Sequence, residues 1–279
     1  MSASGAGGAR AGVPAAGAAG AAAAAGGTAG DAGGDALGGY IDLHCHYLPG
    51  IDDGVRTHED GVALCEGLRA LGFSRVVATP HIRTAMFDND PAGLRASLEA
   101  FTRKAGEREW MPALGLGAEH FFDDVFWERF ARGDVVPYPS GRALLVELPP
   151  AIFPQRTAAC FFEMRARGVR PVLAHPERYR PLARSSEALA PLLDAGAFAQ
   201  LDLMSLVGRY GRTARRAAER MLDEDLYQLA ASDAHRPSDL PDVAQALDAL
   251  VDRVGPARAV ALLRDGPRRL APRDPPADG

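Results

Sequence analysis

The chain is short of cysteine, of long apolar runs and of excess positive charge, and each shortage excludes something. Only three cysteines occur in 279 residues, Cys45, Cys65 and Cys160. An odd, sparse set is not a disulfide framework, and it fits a reducing compartment such as the cytoplasm. No apolar run approaches the roughly 20 residues of a membrane helix, so membrane insertion is not expected. A net charge of -5 and a pI near 5.8 argue against a nucleic-acid surface, which is normally basic. No Gly-x-Gly-x-x-Gly or phosphate-loop lysine motif supports nucleotide binding.

What remains is an ordinary soluble composition, with 47% hydrophobic and 24% charged residues. Residues 1–39 stand apart, being almost wholly Ala and Gly with nothing large to bury, and read as a disordered tail. A signal peptide is the competing reading, but a cationic start and a Leu-rich core are missing. Residues 40–268 form the folded domain, and residues 269–279 read as a second loose tail.

From residue 40 onward, strand-like and helix-like stretches alternate. Strands are predicted at 41–46, 75–81, 113–121, 143–149, 169–178, 198–206 and 226–235. Helices are predicted at about 57–71, 90–107, 153–167, 185–195, 213–222, 243–254 and 257–263. This order argues for an α/β fold with a parallel sheet and right-handed crossovers. A barrel and an open doubly wound sheet both satisfy it. The polar residues favour the barrel, because six of the seven predicted strands end C-terminally in His, Asp or Glu. A closed barrel brings those ends to one rim, where barrel enzymes build their sites.

The rim candidates are His44, His46, Asp53, His81, Glu119, Glu147, His175, Asp233 and His235. Side chains two apart on a strand share a face, so His44 and His46 lie side by side and Cys45 points away. A lone His-x-His is most simply a strand end. Here five of the chain's seven histidines fall at such ends, and only a shared site requires that. Nine imidazole and carboxylate ligands exceed what one zinc needs and suit two or three ions. Mixed shells of this kind accept Mn²⁺, Zn²⁺ or Fe²⁺. Such a cluster makes hydroxide available near neutral pH and favours hydrolysis of a phosphate ester. Arg178, three residues past His175, is placed to grip phosphate with a bidentate fork, or else is a surface salt-bridge arginine. His58 reads as solvent-facing, His120 as a packing histidine, and Cys45, Cys65 and Cys160 as core.

Six segments taken together, IDLHCHYLPGIDDG (41–54), ATPH (78–81), GAE (117–119), LVELP (145–149), AHPERY (174–179) and SDAH (232–235), resemble the polymerase-and-histidinol-phosphatase (PHP) superfamily. Within it they are similar to the bacterial manganese-dependent protein-tyrosine phosphatases of capsule and exopolysaccharide loci. The resemblance spans about residues 40–240. It implies a distorted seven-stranded TIM-like (β/α) barrel with three metal ions. His44, His46, Glu119 and Asp233 match the ligands of the first ion. Glu119, Glu147 and His175 match those of the second, and Asp53, His81 and His235 those of the third. Arg178 matches an arginine of phosphate binding and catalysis, and His175 and Asp233 are counted with it as catalytic. The implied substrate is phosphotyrosine on the tail of a membrane-associated tyrosine autokinase, attacked by a metal-bridging hydroxide. A homo-oligomer is left open.

Cysteine-based tyrosine phosphatases carry arginine six residues after the nucleophile. Here that offset holds Ile51, Leu71 and Ala166, which excludes the cysteine mechanism. Two alternatives stay open: a histidinol-phosphate or other small-molecule phosphoesterase, and a non-catalytic docking module. Relatives often carry a second basic residue about five positions after the Asp-Ala-His motif. Leu240 stands there instead, while Arg236 follows His235 directly.

Overall fold

The computed structural model describes residues 39–272 except 107 and 109. The proposed N-terminal tail and residues 273–279 lie outside the described residues, apart from Gly39. The described chain alternates strands and helices as expected, but its strands form two parallel sheets. The smaller holds β1 (Tyr40–Cys45), β2 (Phe73–Ala78) and β4 (Ala113–Leu116) in the order β1-β2-β4. The larger runs β3 (His81–Ile82), β5 (Glu119–Phe121), β6 (Ala143–Glu147), β7 (Arg170–Ala174), β8 (Phe198–Asp202) and β9 (Leu229–Ala231).

The closed seven-stranded barrel expected from sequence is therefore not what the hydrogen bonds define. Two predicted strands, 75–81 and 113–121, each break in the middle. The first breaks at Thr79-Pro80, where proline has no N–H to give to a ladder. The second breaks at Gly117-Ala118, where a Cβ on Gly117 would come 3.1 Å from the Tyr138 ring. Each gives its first half to the smaller sheet and its second half to the larger. Single bonds cross the breaks, Gly117 N–H to Ala78 O at 2.8 Å and Glu119 N–H to Pro80 O at 3.1 Å. The sheets also meet at their far edges, where Cys45 bridges Ala234 in parallel fashion. There Asp233 N–H donates to His44 O at 2.8 Å and His46 N–H to Ala234 O at 2.9 Å.

Helices cover the strands. α1 (His58–Ala70) starts where Thr57 Oγ1 accepts the Asp60 N–H, and α2 (Pro91–Ala105) starts at the Asp90 cap. α3 (Asp124–Arg132) was absent from the sequence expectation. Its signals are present in retrospect: Asp123 caps it, Phe126 and Phe130 are buried four apart, and Gly133 ends it in the left-handed region. α4 (Thr157–Ala166), a short α5 (Ala190–Asp194) and α6 (Gly211–Asp223) follow. The two last predicted helices join as α7 (Leu240–Val260), broken at Gly255, whose φ is 76°. Among the described residues no helix is long and apolar enough to cross a membrane.

The core has two main parts. Leu43, Val77, Leu145 and Val172 form one with Tyr138 and Leu229. Their alternating neighbours on the same strands, Val76, Leu144, Val146 and Leu173, pack against helix residues such as Leu64, Leu68, Phe161 and Met164. Cys45, Cys65 and Cys160 are buried in that second part. Leu270 and Ala271 are buried as well, and Arg75 donates to the carbonyls of Ala271 and Pro272. Packing thus continues past residue 268, where the sequence suggested a loose tail.

Candidate metal centre

Four site residues lie within strands, His44 in β1, His81 in β3, Glu119 in β5 and Glu147 in β6, and the other five sit on the turns beyond. β7 ends at Ala174, and His175 adopts φ 33°; β9 ends at Ala231, and Asp233 adopts φ 50°. Positive φ is uncommon for a residue with a Cβ, and it concentrates at sites that the surrounding structure holds in place. The predicted strands 169–178, 198–206 and 226–235 are accordingly shorter, because the chain turns to aim these side chains.

All nine predicted residues converge. Glu119 is the hub, fully surrounded by imidazoles. Its Oε2 lies 3.2 Å from His44 Nε2, 3.0 Å from His81 Nδ1 and 3.7 Å from His46 Nε2, and its Oε1 lies 3.0 Å from His175 Nε2. Asp233 Oδ1 lies 3.0 Å from His44 Nε2 and 3.4 Å from His46 Nε2. Asp53 Oδ1 lies 3.3 Å from His81 Nε2 and 3.5 Å from His235 Nε2. The rings of His46 and His235 stack at 4.0 Å.

Three sets of donor atoms fall within 4.8 Å of one another: His44, His46 and Asp233; His81, Glu119 and Glu147; and His46, Asp53, His81 and His235. His175 belongs to none of the three; its Nε2 meets Glu119 and its ring stacks 5.8 Å from that of His44. The donor chemistry fits cations. His46 Nε2, Glu147 Oε2, His175 Nδ1 and Asp233 Oδ1 are buried with no hydrogen-bond partner among the described residues. Unsatisfied buried polar atoms are rare and call for an explanation, and an ion is one.

The electrostatics agree. Burial opposes ionisation of Glu119, yet the His44 and His81 imidazoles hold it well below the usual carboxylate range. Burial likewise opposes charge on Asp233, and His44 and Arg178 override it. Burial pushes Glu147 up to about 7, with Glu119 adding repulsion. Burial, with the Arg178 charge, lowers His175 to about 4, so its imidazole is neutral and able to ligate.

Several functional neighbours escaped the sequence. Asp52, not Asp53, orients His46, its Oδ2 lying 2.7 Å from Nδ1. Gln200 Oε1 meets His44 Nδ1 at 2.8 Å and fixes that ring from behind. Asp42 accepts from the His44 and Ser232 backbone amides and from the Ser232 hydroxyl, and so joins β1 to the Asp233 turn. Arg178 ion-pairs through Nη2 with both Asp202 and Asp233, and its guanidinium stacks 3.5 Å over the Tyr210 ring. Asp202 ends β8, the one strand whose predicted end carried no acid or histidine, because the prediction ran four residues too far. Glu177 is buried beside it, accepting from Asp202 N–H, Ser205 Oγ and Tyr227 Oη. His120 packs in the core, where Val136 N–H donates to its Nε2 at 3.2 Å. His58 is half-buried against Phe101 and not simply solvent-facing.

A parallel α/β scaffold that gathers five histidines and four carboxylates, Glu119 at their centre, marks a class, the α/β proteins with a candidate His/carboxylate metal centre. Comparison with known proteins narrows it. Residues 40–271 match the model of the family described as capsular polysaccharide synthesis, CpsB/CapC, and the chain belongs to that family. It is 28% identical over 201 residues to the putative tyrosine-protein phosphatase CapC of Staphylococcus aureus, covering 72% of this chain and 79% of the relative. It is 25% identical over 236 residues to the tyrosine-protein phosphatase CpsB of Streptococcus pneumoniae, covering 82% and 97%. A solved structure from work on Bacillus subtilis YwqE and Streptococcus pneumoniae CpsB, described as unique metal-dependent tyrosine phosphatases, superposes with a TM-score of 0.75. That match is 26% identical and covers 86% of this chain and 99% of the other. The phosphotriesterase homology protein of Escherichia coli, 13% identical, shares the fold with a TM-score of 0.54, covering 83% and 98%.

Proposed function

We propose that this chain is a metal-dependent protein-tyrosine phosphatase acting on a phosphotyrosine protein, with the tail of a tyrosine autokinase as its natural partner. The carrying observation is the convergence of the nine predicted ligands, with four of the imidazoles within 3.7 Å of Glu119 and unpartnered buried ligand atoms among them. His44, His46, Asp53, His81, Glu119, Glu147, His175, Asp233 and His235 would hold two or three cations, Mn²⁺ first among them. Bound there, the cations supply positive charge for phosphoryl oxygens and a water acidified toward a pKa of roughly 7. The likeness to barrel-shaped phosphoesterases supports reading the two sheets as a distorted, interrupted barrel, and the sparse cysteines support a cytoplasmic location.

The chain's own residues prepare the reaction. Asp52 and Gln200 each hold one nitrogen of His46 and His44, so the opposite nitrogens face the centre. Glu147, its carboxyl pushed up to about 7 by burial, is partly protonated at neutral pH and would have to give up that proton to act as a ligand. Asp202 and Asp233 hold the Arg178 guanidinium at the edge of the centre, where it meets the charge of a phosphoryl group. Burial of His44, His46, Glu119 and Asp233 keeps bulk water from screening these charges.

The test is turnover of a phosphotyrosine peptide, a phosphoserine peptide and histidinol phosphate after chelation and reloading with Mn²⁺. Preference for the phosphotyrosine peptide is expected. Preference for histidinol phosphate would move the chain to a small-molecule phosphoesterase, and no turnover of any ester would make it a docking module.

A further inference from the structure

A second polar cavity lies directly beside the metal centre. It has a volume of about 540 Å³ and is lined by Gly54, Val55, Arg56, Asp60, Arg236, Pro237 and Ser238. Two loops build it, and each also carries a centre residue: Gly54 follows Asp53, and Arg236 follows His235. Those centre residues meet, with Asp53 Oδ1 3.5 Å from His235 Nε2, so the cavity and the centre share a wall.

The wall is fixed. A Cβ on Gly54 would come 2.4 Å from His46 O, so this loop packs tightly on the ligand strand. The buried Asp239 carboxylate accepts the backbone N–H groups of His235 and Arg236, each at 3.0 Å. Asp239 is thereby occupied with the backbone and with Arg209, and does not neutralise the Arg236 side chain. Asp60 accepts the Thr57 hydroxyl at 2.8 Å and keeps its charge, so the lining carries two positive charges against one negative. Arg56 and Arg236 are both exposed, and neither forms an ion pair with a described residue. Arg209, which shares Asp239 with this loop, behaves differently and pairs with both Asp239 and Asp242. The cavity thus holds two uncommitted guanidinium forks, a geometry matched to carboxylate or phosphate.

We infer that this cavity is an anion subsite that takes an acidic or phosphorylated side chain flanking the phosphotyrosine of the substrate. The inference rests on the tyrosine-phosphatase reading of the adjacent centre. A peptide whose phosphotyrosine enters the centre must leave over the surrounding rim. The shared wall puts one of its neighbouring side chains over the two arginines. The subsite gives the enzyme selectivity for sequence context without touching the reacting atoms.

The experiment uses the full chain reloaded with Mn²⁺ and four substrates: free phosphotyrosine, and phosphotyrosine peptides flanked by Gln and Asn, by Glu and Asp, or by a second phosphotyrosine. Wild type should prefer the anionic peptides about five- to tenfold in kcat/KM at low salt, through KM, and lose that preference as salt rises. The R56Q/R236Q variant should lose the preference while turning over free phosphotyrosine normally, and R56Q alone should lose part of it. The two anionic peptides separate carboxylate from phosphate as the better ligand. Absence of preference in wild type, or its survival in the double variant, would overturn the subsite. So would loss of free phosphotyrosine turnover in a folded, metal-loaded double variant, because the arginines would then act at the reacting centre. Failure of wild type on free phosphotyrosine would instead overturn the phosphatase reading beneath it.

Discussion

Replacing Glu119 by Gln should uncouple folding from metal. The carboxylate is buried and touches His44, His81 and His175 within 3.2 Å, and it belongs to the donor set with His81 and Glu147. Gln keeps the volume, removes the charge and turns one acceptor into a donor facing imidazole nitrogens. Changes to residues merely supporting a ligand cost 10–100-fold in affinity, so loss of a ligand itself is set at about 100-fold. In wild type, Mn²⁺ at 100 times its Kd stabilises one site by about 2.7 kcal/mol. At roughly 2–4 °C per kcal/mol for a domain of this size, that is about 5–11 °C in Tm. The variant at the same concentration sits near its own Kd and gains about 0.4 kcal/mol, about 1 °C. Thermal melting with and without Mn²⁺ after chelation, alongside metal content by elemental analysis, measures both. A variant with the wild-type metal stoichiometry and the wild-type Tm gain would refute the role of Glu119 as hub.

Arg178→Lys keeps the charge and one nitrogen for Asp202 and Asp233, but loses the other guanidinium N–H groups and the planar stack on Tyr210, so kcat/KM should fall about a hundredfold with metal content intact; lost metal would instead assign the arginine a structural role. Burial pushes the Cys45, Cys65 and Cys160 thiols up, so alkylation at neutral pH should leave activity unchanged in the folded protein. Inactivation that tracks labelling of one cysteine would restore a thiol mechanism. Asp90 caps α2 by accepting the Ala92 and Gly93 amides, which hold its carboxyl below the usual range. A depressed folded value means the cap stabilises above the unfolded pKa and is lost as pH falls through the folded one. Asp90→Ala should therefore lower Tm at neutral pH, with the gap closing in acid; a pH-independent gap would exclude the charged cap.

The site was easier to read than the fold that carries it. Histidine is scarce enough here that five at strand ends carried information, and ATPH and AHPERY fixed His81 and His175 by position. The breaks at Pro80 and Gly117 carry local signals, a proline and a glycine inside strand-like runs, but nothing local says which sheet each half joins. The supporting residues were missed for a related reason. Asp52 bonds His46 only six positions away and was passed over for its neighbour Asp53, whereas Gln200 and Asp202 act through more distant partners, His44 lying 156 positions from Gln200 and Arg178 24 from Asp202. Such contacts leave no local pattern. Asp202 was hidden further by an overlong strand, and α3 by a run of aromatics that reads as loop as easily as helix.

The bonds from Asp42 to Ser232, 190 positions apart, set a condition on synthesis. Residues 44–46 and 233–235 lie side by side, hydrogen-bonded to each other, and together build one wall of the centre that neither completes alone. Contacts this distant are the slow ones to form, since a long loop must close before they reward it. On a ribosome the His44–His46 strand emerges early and waits for most of the chain. A partly made copy thus presents paired histidines but no assembled hub. The centre cannot assemble before residues 233–235 have been made, and a truncated chain ending before β9 should remain inert however much metal surrounds it.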